Sequence, residues 1–223
     1  MEENRISINH LSEYHNAPNG RKRTIEKFTK QKYEGNHPFW YTLSKNRIKK
    51  ALQNKLDTSF ISQSIEEVLK KKAPKEWHRK NNLGNIEILQ RFLKMRFYQN
   101  LIKMGYKVIS TDKKSIELNG LFVDIKPDII FYIEENGKKY LGAVVLRYNK
   151  SKAFKPINGQ IVAEGIKLFL EQEIAQKGDL ILSDFCLSVD VFSETVVSAA
   201  KTTSTHRKIV YDLCKDIKDK LAS

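Results

Sequence analysis

The fold of this chain is decided by the stretch SIELNGLFVDIKPDIIFYIEENGKKYLGAVVLRY, residues 115–148. Short runs of β-branched and aromatic residues alternate there with turn residues, which is the pattern of consecutive strands. Asn119 and Gly120 predict a tight hairpin between two such runs, and Asn136 and Gly137 predict a second reversal of the chain. The last run, 140–148, is almost entirely apolar, as expected for a strand that is covered on both faces.

Helical periodicity on both sides of these strands predicts the rest of the core. Apolar residues recur at steps of three and four over 85–104, which predicts a long helix that ends at Gly105. The remaining predicted elements are a helix over 159–174, strand segments at 180–182 and 185–192, and a final helix from about residue 205. This order predicts an α/β fold with a mixed central β-sheet flanked by helices.

The residues before this core predict a helical N-terminal extension in two parts. Residues 1–37 are polar and contain a loop signal at 16–20, so we expect a loosely ordered basic arm. Residues 38–80 predict a basic helical subdomain, with one helix capped by Ser44 and a second that stops before Pro74. Residues 81–223 then make up the α/β core.

Positive charge is the strongest compositional signal. The formal net charge is +14, and residues 1–80 alone hold 18 basic and 9 acidic side chains. Such an excess makes nucleic acid the first partner to consider, with DNA ahead of RNA. The predicted contacts with nucleic acid are Lys45, Arg47, Lys49, Lys50, Lys152, Lys155 and Gln160. The alternative interpretation of the basic residues is a solvated, lysine-rich surface.

Several classes of protein are excluded by what the sequence lacks. It contains no glycine-rich loop of the P-loop or dinucleotide-binding type, and no G-x-S-x-G nucleophile elbow. Its histidines and its two cysteines, Cys186 and Cys214, are not spaced as zinc ligands. No apolar run is long enough to span a membrane and no secretory signal is visible, so we expect a soluble cytoplasmic protein without a membrane partner.

A set of acidic and cationic residues in the core carries the candidate chemistry. Asp128 follows Pro127 at the start of a central strand, and Arg147 ends the next strand. The other members, on the helices and the loop around these strands, are Glu87, Lys150, Gln160 and Glu164. Over about residues 85–222, this order of elements and polar residues resembles the PD-(D/E)xK nuclease superfamily, most closely its RecB-type and Holliday-junction-resolvase branches.

The resemblance implies a restriction-endonuclease-like core and, for an active member, a phosphodiesterase that depends on Mg²⁺ or Mn²⁺. Asp128, Glu87 and Glu164 would then be the metal ligands, because hard cations prefer oxygen. Arg147 or Lys150 would be the catalytic cation beside Asp128 and Glu164. A metal pair in such a site stabilises both the attacking and the leaving oxygen.

The motif itself departs from the family's pattern. The expected (D/E)-x-K is Val145-Leu146-Arg147, so valine replaces the carboxylate and arginine replaces the lysine. The expected Q-x-x-x-Y begins with Gln160 but ends with Glu164. Two interpretations follow: either the catalytic carboxylate has moved to Glu164, or the site is degenerate and the fold serves as a binding scaffold.

We therefore expect a nucleic-acid-binding protein with weak or absent nuclease activity. The sequence further predicts that Asp128 and Arg147 lie side by side in a pocket open to a polyanion, where Arg147 contacts either a phosphate or Asp128 itself. The alternative function is a protein-interaction module, related to phages, mobile elements or defence, whose basic face binds an acidic protein. A homodimer is also left open.

Overall fold

The computed structural model of the protein describes residues 4–30, 40–150 and 154–222. The N-terminal elements are β1 (Arg5–Ser7), α1 (Ile8–His15), α2 (Asn19–Lys30), α3 (Thr42–Asn54), α4 (Thr58–Leu69), α5 (Glu76–Lys94) and α6 (Arg96–Lys103). The following elements are β2 (Lys107–Ile109), β3 (Ser115–Leu118), β4 (Leu121–Asp124), β5 (Ile129–Glu135), β6 (Lys138–Arg147), α7 (Pro156–Phe169), β7 (Leu180–Asp190), β8 (Thr195–Ser198) and α8 (Ser204–Ala222). The predicted α/β class is confirmed.

The strands form two sheets. The larger sheet has the order β2-β5-β6-β7-β8, in which β6 and β7 are parallel and the other neighbours are antiparallel, so it is mixed as predicted. The smaller sheet has the order β1-β4-β3. Both predicted hairpins are present, and φ is 51° at Asn119 and 75° at Gly120, a left-handed pair that suits this dipeptide. The β3–β4 hairpin belongs to the smaller sheet.

The two faces of the larger sheet are covered by different helices. Along β6, Val144 and Leu146 lie on one face and pack with residues of α3 to α6, which we call the α3 face. Ala143 and Val145 lie on the other face and pack with residues of α1, α7 and α8, which we call the α7 face. This alternation confirms that β6 is covered on both sides.

The N-terminal segment differs from the loosely ordered arm that the sequence predicts for residues 1–37. Residues 4–30 form β1, α1 and α2, and β1 pairs in parallel with β4. Ile8, Leu11 and Tyr14 recur at steps of three along α1 and are buried in the core of the α7 face. Polar residues between these positions conceal the apolar stripe in the sequence. Residues 31–37 lie outside the described ranges.

The two helices predicted within 38–80 are present as α3 and α4, and both contribute to the core of the α3 face. α3 begins at Thr42, so Ser44 lies in its first turn, where its N–H donates to Asn85 Oδ1 at 2.8 Å rather than acting as the cap. None of the described helices is both long and apolar enough to cross a membrane.

Three boundaries in the core also differ from the prediction. The helix predicted over 85–104 begins earlier, at Glu76, and is divided at Met95, whose ψ of 111° is extended. The strand segments at 180–182 and 185–192 form the single strand β7, with a register shift opposite Leu141 and Ala143. The sequence does not predict the edge strand β8. β8 pairs with the adjacent strand β7, and β7 in turn pairs with β6.

Candidate functional site

Asp128 lies half-buried where β5 begins, beside β6. Its Oδ2 accepts a hydrogen bond from the Leu146 N–H at 2.7 Å, and its own N–H donates to the Val144 carbonyl at 2.8 Å. Burial raises the pKa of Asp128 to about 6, against the opposing effects of the Leu146 N–H and of Lys49 and Lys45 on α3. The carboxyl group therefore anchors two strands and is protonated in a mildly acidic solution.

Arg147 pairs with a carboxylate other than Asp128, whose own charged neighbours are Lys49 and Lys45 of α3. Leu146 belongs to the α3 face, so its neighbour Arg147 points to the α7 face. There its Nη1 donates to Asp190 Oδ2 at 2.5 Å, and its guanidinium carbon lies 4.7 Å from the centre of the Phe154 ring. Asp190 is fully buried. The prediction that Asp128 and Arg147 act as a side-by-side pair is therefore wrong, because each side chain has its own partners.

Glu87 and Lys150 contact each other in a separate cluster. Lys150 Nζ donates to Glu87 Oε2 at 2.5 Å, and Arg91 donates to Glu87 Oε1 at 3.2 Å. These two cations, Lys150 above all, hold the pKa of Glu87 below its ordinary value. Arg91 also pairs with Glu194 at 3.2 Å. The cluster ties α5 to the loops after β6 and β7.

Glu164 is buried on α7, with 3% of its side chain exposed, and it contacts α8 and the segment before it. Its Oε1 accepts from Arg207 Nε at 2.7 Å, and its Oε2 accepts from Thr202 Oγ1 at 2.5 Å. Arg207 also donates to Glu171 at 2.9 Å. Both carboxylate oxygens of Glu164 are thus engaged in bonds that fix α8 on α7.

The three predicted metal ligands do not converge. Asp128, Glu87 and Glu164 lie in three different clusters, each with its own hydrogen-bond donors. Within the described ranges, no three His, Cys, Asp or Glu side chains come close enough to hold a metal ion. A hard divalent cation needs several free oxygen ligands at one point. The donor set present among these residues does not fit Mg²⁺ or Mn²⁺, and no metal-dependent step follows from it.

The cations predicted to contact nucleic acid divide into two groups along α3. Arg47 and Lys50 point towards α4, where both lie over the Phe60 ring and Arg47 Nη2 pairs with Glu67 Oε2 at 2.6 Å. Lys45 and Lys49, one turn apart, point instead towards the sheet end at which β5 begins and β6 ends.

Three further residues are predicted to contact nucleic acid. Lys155 lies at the same sheet end as Lys45, immediately before α7. Gln160 lies further along α7, where its Nε2 donates to the Lys201 carbonyl at 3.4 Å. Lys152 lies outside the described residues.

Two cavities open at this sheet end, one on each side of the Asp128–Leu146 contact. The larger, of about 660 Å³, lies between α1, the end of β6 and the start of α7. The smaller, of about 370 Å³, lies between α3, the end of β2 and the start of β5. Eight lysine and arginine side chains line them, and we call this group the cationic rim: Arg21, Lys45, Lys49, Lys113, Lys114, Lys126, Arg147 and Lys155.

Four members of the cationic rim form no ion pair with a described residue. The other four do: Arg147 pairs with Asp190, Lys126 with Asp124, Arg21 with Glu13 and Lys113 with Glu173. The members without an ion pair to a described residue are Lys45, Lys49, Lys114 and Lys155. A lysine of this kind at a concave surface is available to an external anion.

Sequence reasoning missed part of this site. Lys114 and Lys126 flank the β3–β4 hairpin, for which the sequence predicts only a structural role. Asn9, His10 and Arg21 line the larger cavity from the segment expected to be a loose arm. The spacing of Ile8, Leu11 and Tyr14, three residues apart along α1, is the signal that could have predicted that this segment packs on the core. A scan of protein-family models and a search of curated proteins both find no match for this chain.

Proposed function

We propose that this protein binds nucleic acid along the cationic rim and does not cleave it by metal-dependent chemistry. The observation that carries the proposal is the group of four lysines at one sheet end, Lys45, Lys49, Lys114 and Lys155, without an ion pair to a described residue. They flank two adjoining cavities, so that a chain of phosphates lying across the sheet end meets a lysine on each side.

The chemistry of the rim suits a phosphate backbone. Lysine neutralises phosphate as a point charge and releases counterions, which supplies affinity without reading the base sequence. Two acidic residues line the cavities. Glu13 pairs with Arg21 at 2.8 Å, and Asp128 is half-buried and accepts a hydrogen bond from the Leu146 N–H. Their charges therefore oppose a bound polyanion less than those of exposed carboxylates without partners would.

The arrangement of the acidic residues supports binding without cleavage. Val145, at the motif position where the family has a carboxylate, is buried on the α7 face. Glu164, the candidate replacement, is held by Arg207 and Thr202. Carboxylates that are already engaged in hydrogen bonds fit a scaffold that holds nucleic acid better than one that cuts it. The order helix, strands, helix, strands, helix from α5 to α8 agrees with the resemblance on which this proposal draws.

The proposal is tested by titrating labelled random-sequence DNA and RNA with the protein at several salt concentrations. Each rim lysine that contacts a phosphate should add about one unit to the slope of log affinity against log salt. We expect Lys49→Ala and Lys114→Ala to weaken binding several-fold and to flatten that slope. The matched control is Lys138→Ala, a lysine at the opposite end of β6 that also has no ion pair to a described residue.

Two outcomes would contradict the proposal. One is the absence of any binding to DNA or RNA at low salt. The other is binding that Lys49→Ala and Lys114→Ala leave unchanged while Lys138→Ala weakens it. In the second case nucleic acid is bound, but at another surface.

One observation favours the second candidate function, a protein-interaction module. Trp40 and Trp77 are in contact, with ring centres 5.7 Å apart. Both are exposed, Trp40 to 36% and Trp77 to 45%. A patch of large apolar side chains of this kind is typical of a protein contact. Lack of nucleic-acid binding together with intact folding would make this the better candidate.

A further inference from the structure

Two residues that line the larger cavity each carry a buried polar atom without a hydrogen-bond partner among the described residues. Within the described ranges, the buried side-chain nitrogen and oxygen atoms without a partner are Asn9 Oδ1 and the Tyr148 hydroxyl. Both residues line the larger cavity, Asn9 from α1 and Tyr148 from the end of β6. A buried polar group without a partner destabilises the folded protein, because its lost hydration is not replaced. Since nearly all buried polar groups in folded proteins have a partner, two such groups at one cavity mark it as a candidate binding site.

The two atoms have different chemical roles. Burial raises the pKa of Tyr148 well above its ordinary value, so its hydroxyl stays protonated and can donate. Asn9 Oδ1 can only accept. A ligand that satisfies both therefore presents an acceptor and a donor, as the edge of a nucleobase does.

The surroundings of the cavity add positive charge and aromatic surface. Lys45 and Lys155 line it without an ion pair to a described residue, and Lys45 Nζ lies 5.2 Å from the centre of the Tyr148 ring. Phe154 lines it as well, under the Arg147 guanidinium. The volume of about 660 Å³ lies within the range of about 300–1,000 Å³ that is usual for small-ligand sites. The ligand is thus anionic, planar in part and capable of hydrogen bonding.

We propose that the larger cavity binds one nucleotide unit together with its phosphate, either the terminal nucleotide of a strand held on the cationic rim or a free nucleoside monophosphate. Lys45 and Lys155 bind the phosphate, while the Tyr148 hydroxyl and Asn9 Oδ1 bind the base or the sugar. The inference deepens the proposed function and rests on it, since Lys45 and Lys49, one turn apart on α3, connect this cavity with the rest of the rim.

Tyr148→Phe is the decisive variant, because it removes only the hydroxyl that has no described partner. We expect the variant to be at least as stable to heat as the parent protein. Its affinity for a strand with a terminal phosphate should fall about fivefold, the value of one hydrogen bond. A purely structural hydroxyl predicts the reverse, a loss of stability with unchanged affinity. Lys155→Ala should weaken the same binding, and Lys138→Ala should not.

The two sources of the ligand are separated by three probes: an oligonucleotide with a terminal phosphate, the same oligonucleotide without it, and a nucleoside monophosphate. Preference for the phosphorylated oligonucleotide with no binding of the monophosphate assigns the cavity to a strand end. Binding of the monophosphate, abolished by Tyr148→Phe, assigns it to the free nucleotide.

The inference is overturned if the monophosphate does not bind and the two oligonucleotides bind equally to the parent protein and to Tyr148→Phe. That result leaves the proposed function intact as long as Lys49→Ala still weakens binding. If no oligonucleotide binds at all, the proposed function fails. The monophosphate titration alone then shows whether the larger cavity binds a nucleotide.

Discussion

Asp128 shows how a single residue can match a nuclease motif and yet be placed for another task. Its carboxyl group bonds to the Leu146 N–H and lies near Lys45 and Lys49 of α3, whereas Arg147 pairs with Asp190. Each charge thus has its own partner, and the two residues do not form one catalytic pair. The side chain of Asp128 therefore stabilises the strand pair and tunes the charge of the rim.

Replacement of Asp128 by asparagine should change how stability depends on pH. The folded-state pKa of Asp128, about 6, lies above its ordinary value of 3.8, so folding favours the protonated form. The contribution of this protonated carboxyl to the free energy of unfolding is complete below pH 3.8. It is lost as the pH rises to about 6, and the loss is up to about 3 kcal/mol. The amide of the Asp128→Asn variant cannot ionise. As the pH rises across this range, the free energy of unfolding of the variant should therefore increase relative to that of the parent protein.

Denaturant unfolding of both proteins at a series of pH values measures this difference. Other groups titrate equally in the two proteins and cancel when the curves are subtracted. A difference that stays flat between pH 4 and pH 6 would show that the Asp128 carboxyl is not buried as described.

At the scale of elements, α1 has the largest effect on the shape of the candidate site. It buries Ile8, Leu11 and Tyr14 against the α7 face and forms one wall of the larger cavity. Without α1, the end of β6 and the start of α7 would form an open surface instead of a cavity. The element that the sequence predicts to be loose thus creates the most specific feature of the molecule.

Leu11→Ala tests whether α1 belongs to the core. Leu11 is 0% exposed, and truncation of a buried leucine costs about 2–5 kcal/mol. The matched control is Leu69→Ala at the end of α4, where the leucine is 65% exposed and truncation should cost less than about 0.5 kcal/mol. Thermal or denaturant unfolding measures both. Equal small effects would mean that residues 4–30 are a loose arm after all.

At the scale of the whole molecule, the three acidic residues predicted to be metal ligands are kept apart. Glu87, Asp128 and Glu164 come from α5, the start of β5 and α7, and each is fixed by donors from a different part of the chain. Bringing them to one point would break several of these contacts at once. The fold therefore keeps its carboxylates apart while it gathers lysines at one sheet end.

Divalent cations should consequently leave the stability of the protein unchanged. A ligand that binds the folded state raises the unfolding temperature, and Mg²⁺ or Mn²⁺ has no described ligand set to bind. We expect equal unfolding temperatures with Mn²⁺, with Mg²⁺ and with NaCl of matched ionic strength, and no cleavage of DNA or RNA. A rise with Mn²⁺ that Asp128→Asn removes, accompanied by cleavage, would restore Asp128 as a metal ligand.

The sequence alone determined the class of fold, because strands such as β6 and helices such as α8 carry their periodicity locally. Asn119-Gly120 and Asn136-Gly137 likewise specify their turns through the backbone angles that these residues accept. It also determined the excess of positive charge, which no folding can change. The lysines Lys45, Lys49 and Lys155 were correctly placed on the surface, although their convergence with Lys114 was not foreseen.

Tertiary structure alone decided the site. Whether Asp128 lies beside Arg147 depends on which face each residue takes, and one position along β6 reverses the answer. Likewise, the partners of Glu87 and Glu164 come from positions 63 and 43 residues away, Lys150 and Arg207. The cavity between α1 and β6 joins segments that are far apart in the chain. Such distances are set only when the whole core packs, and local sequence patterns contain no information about them.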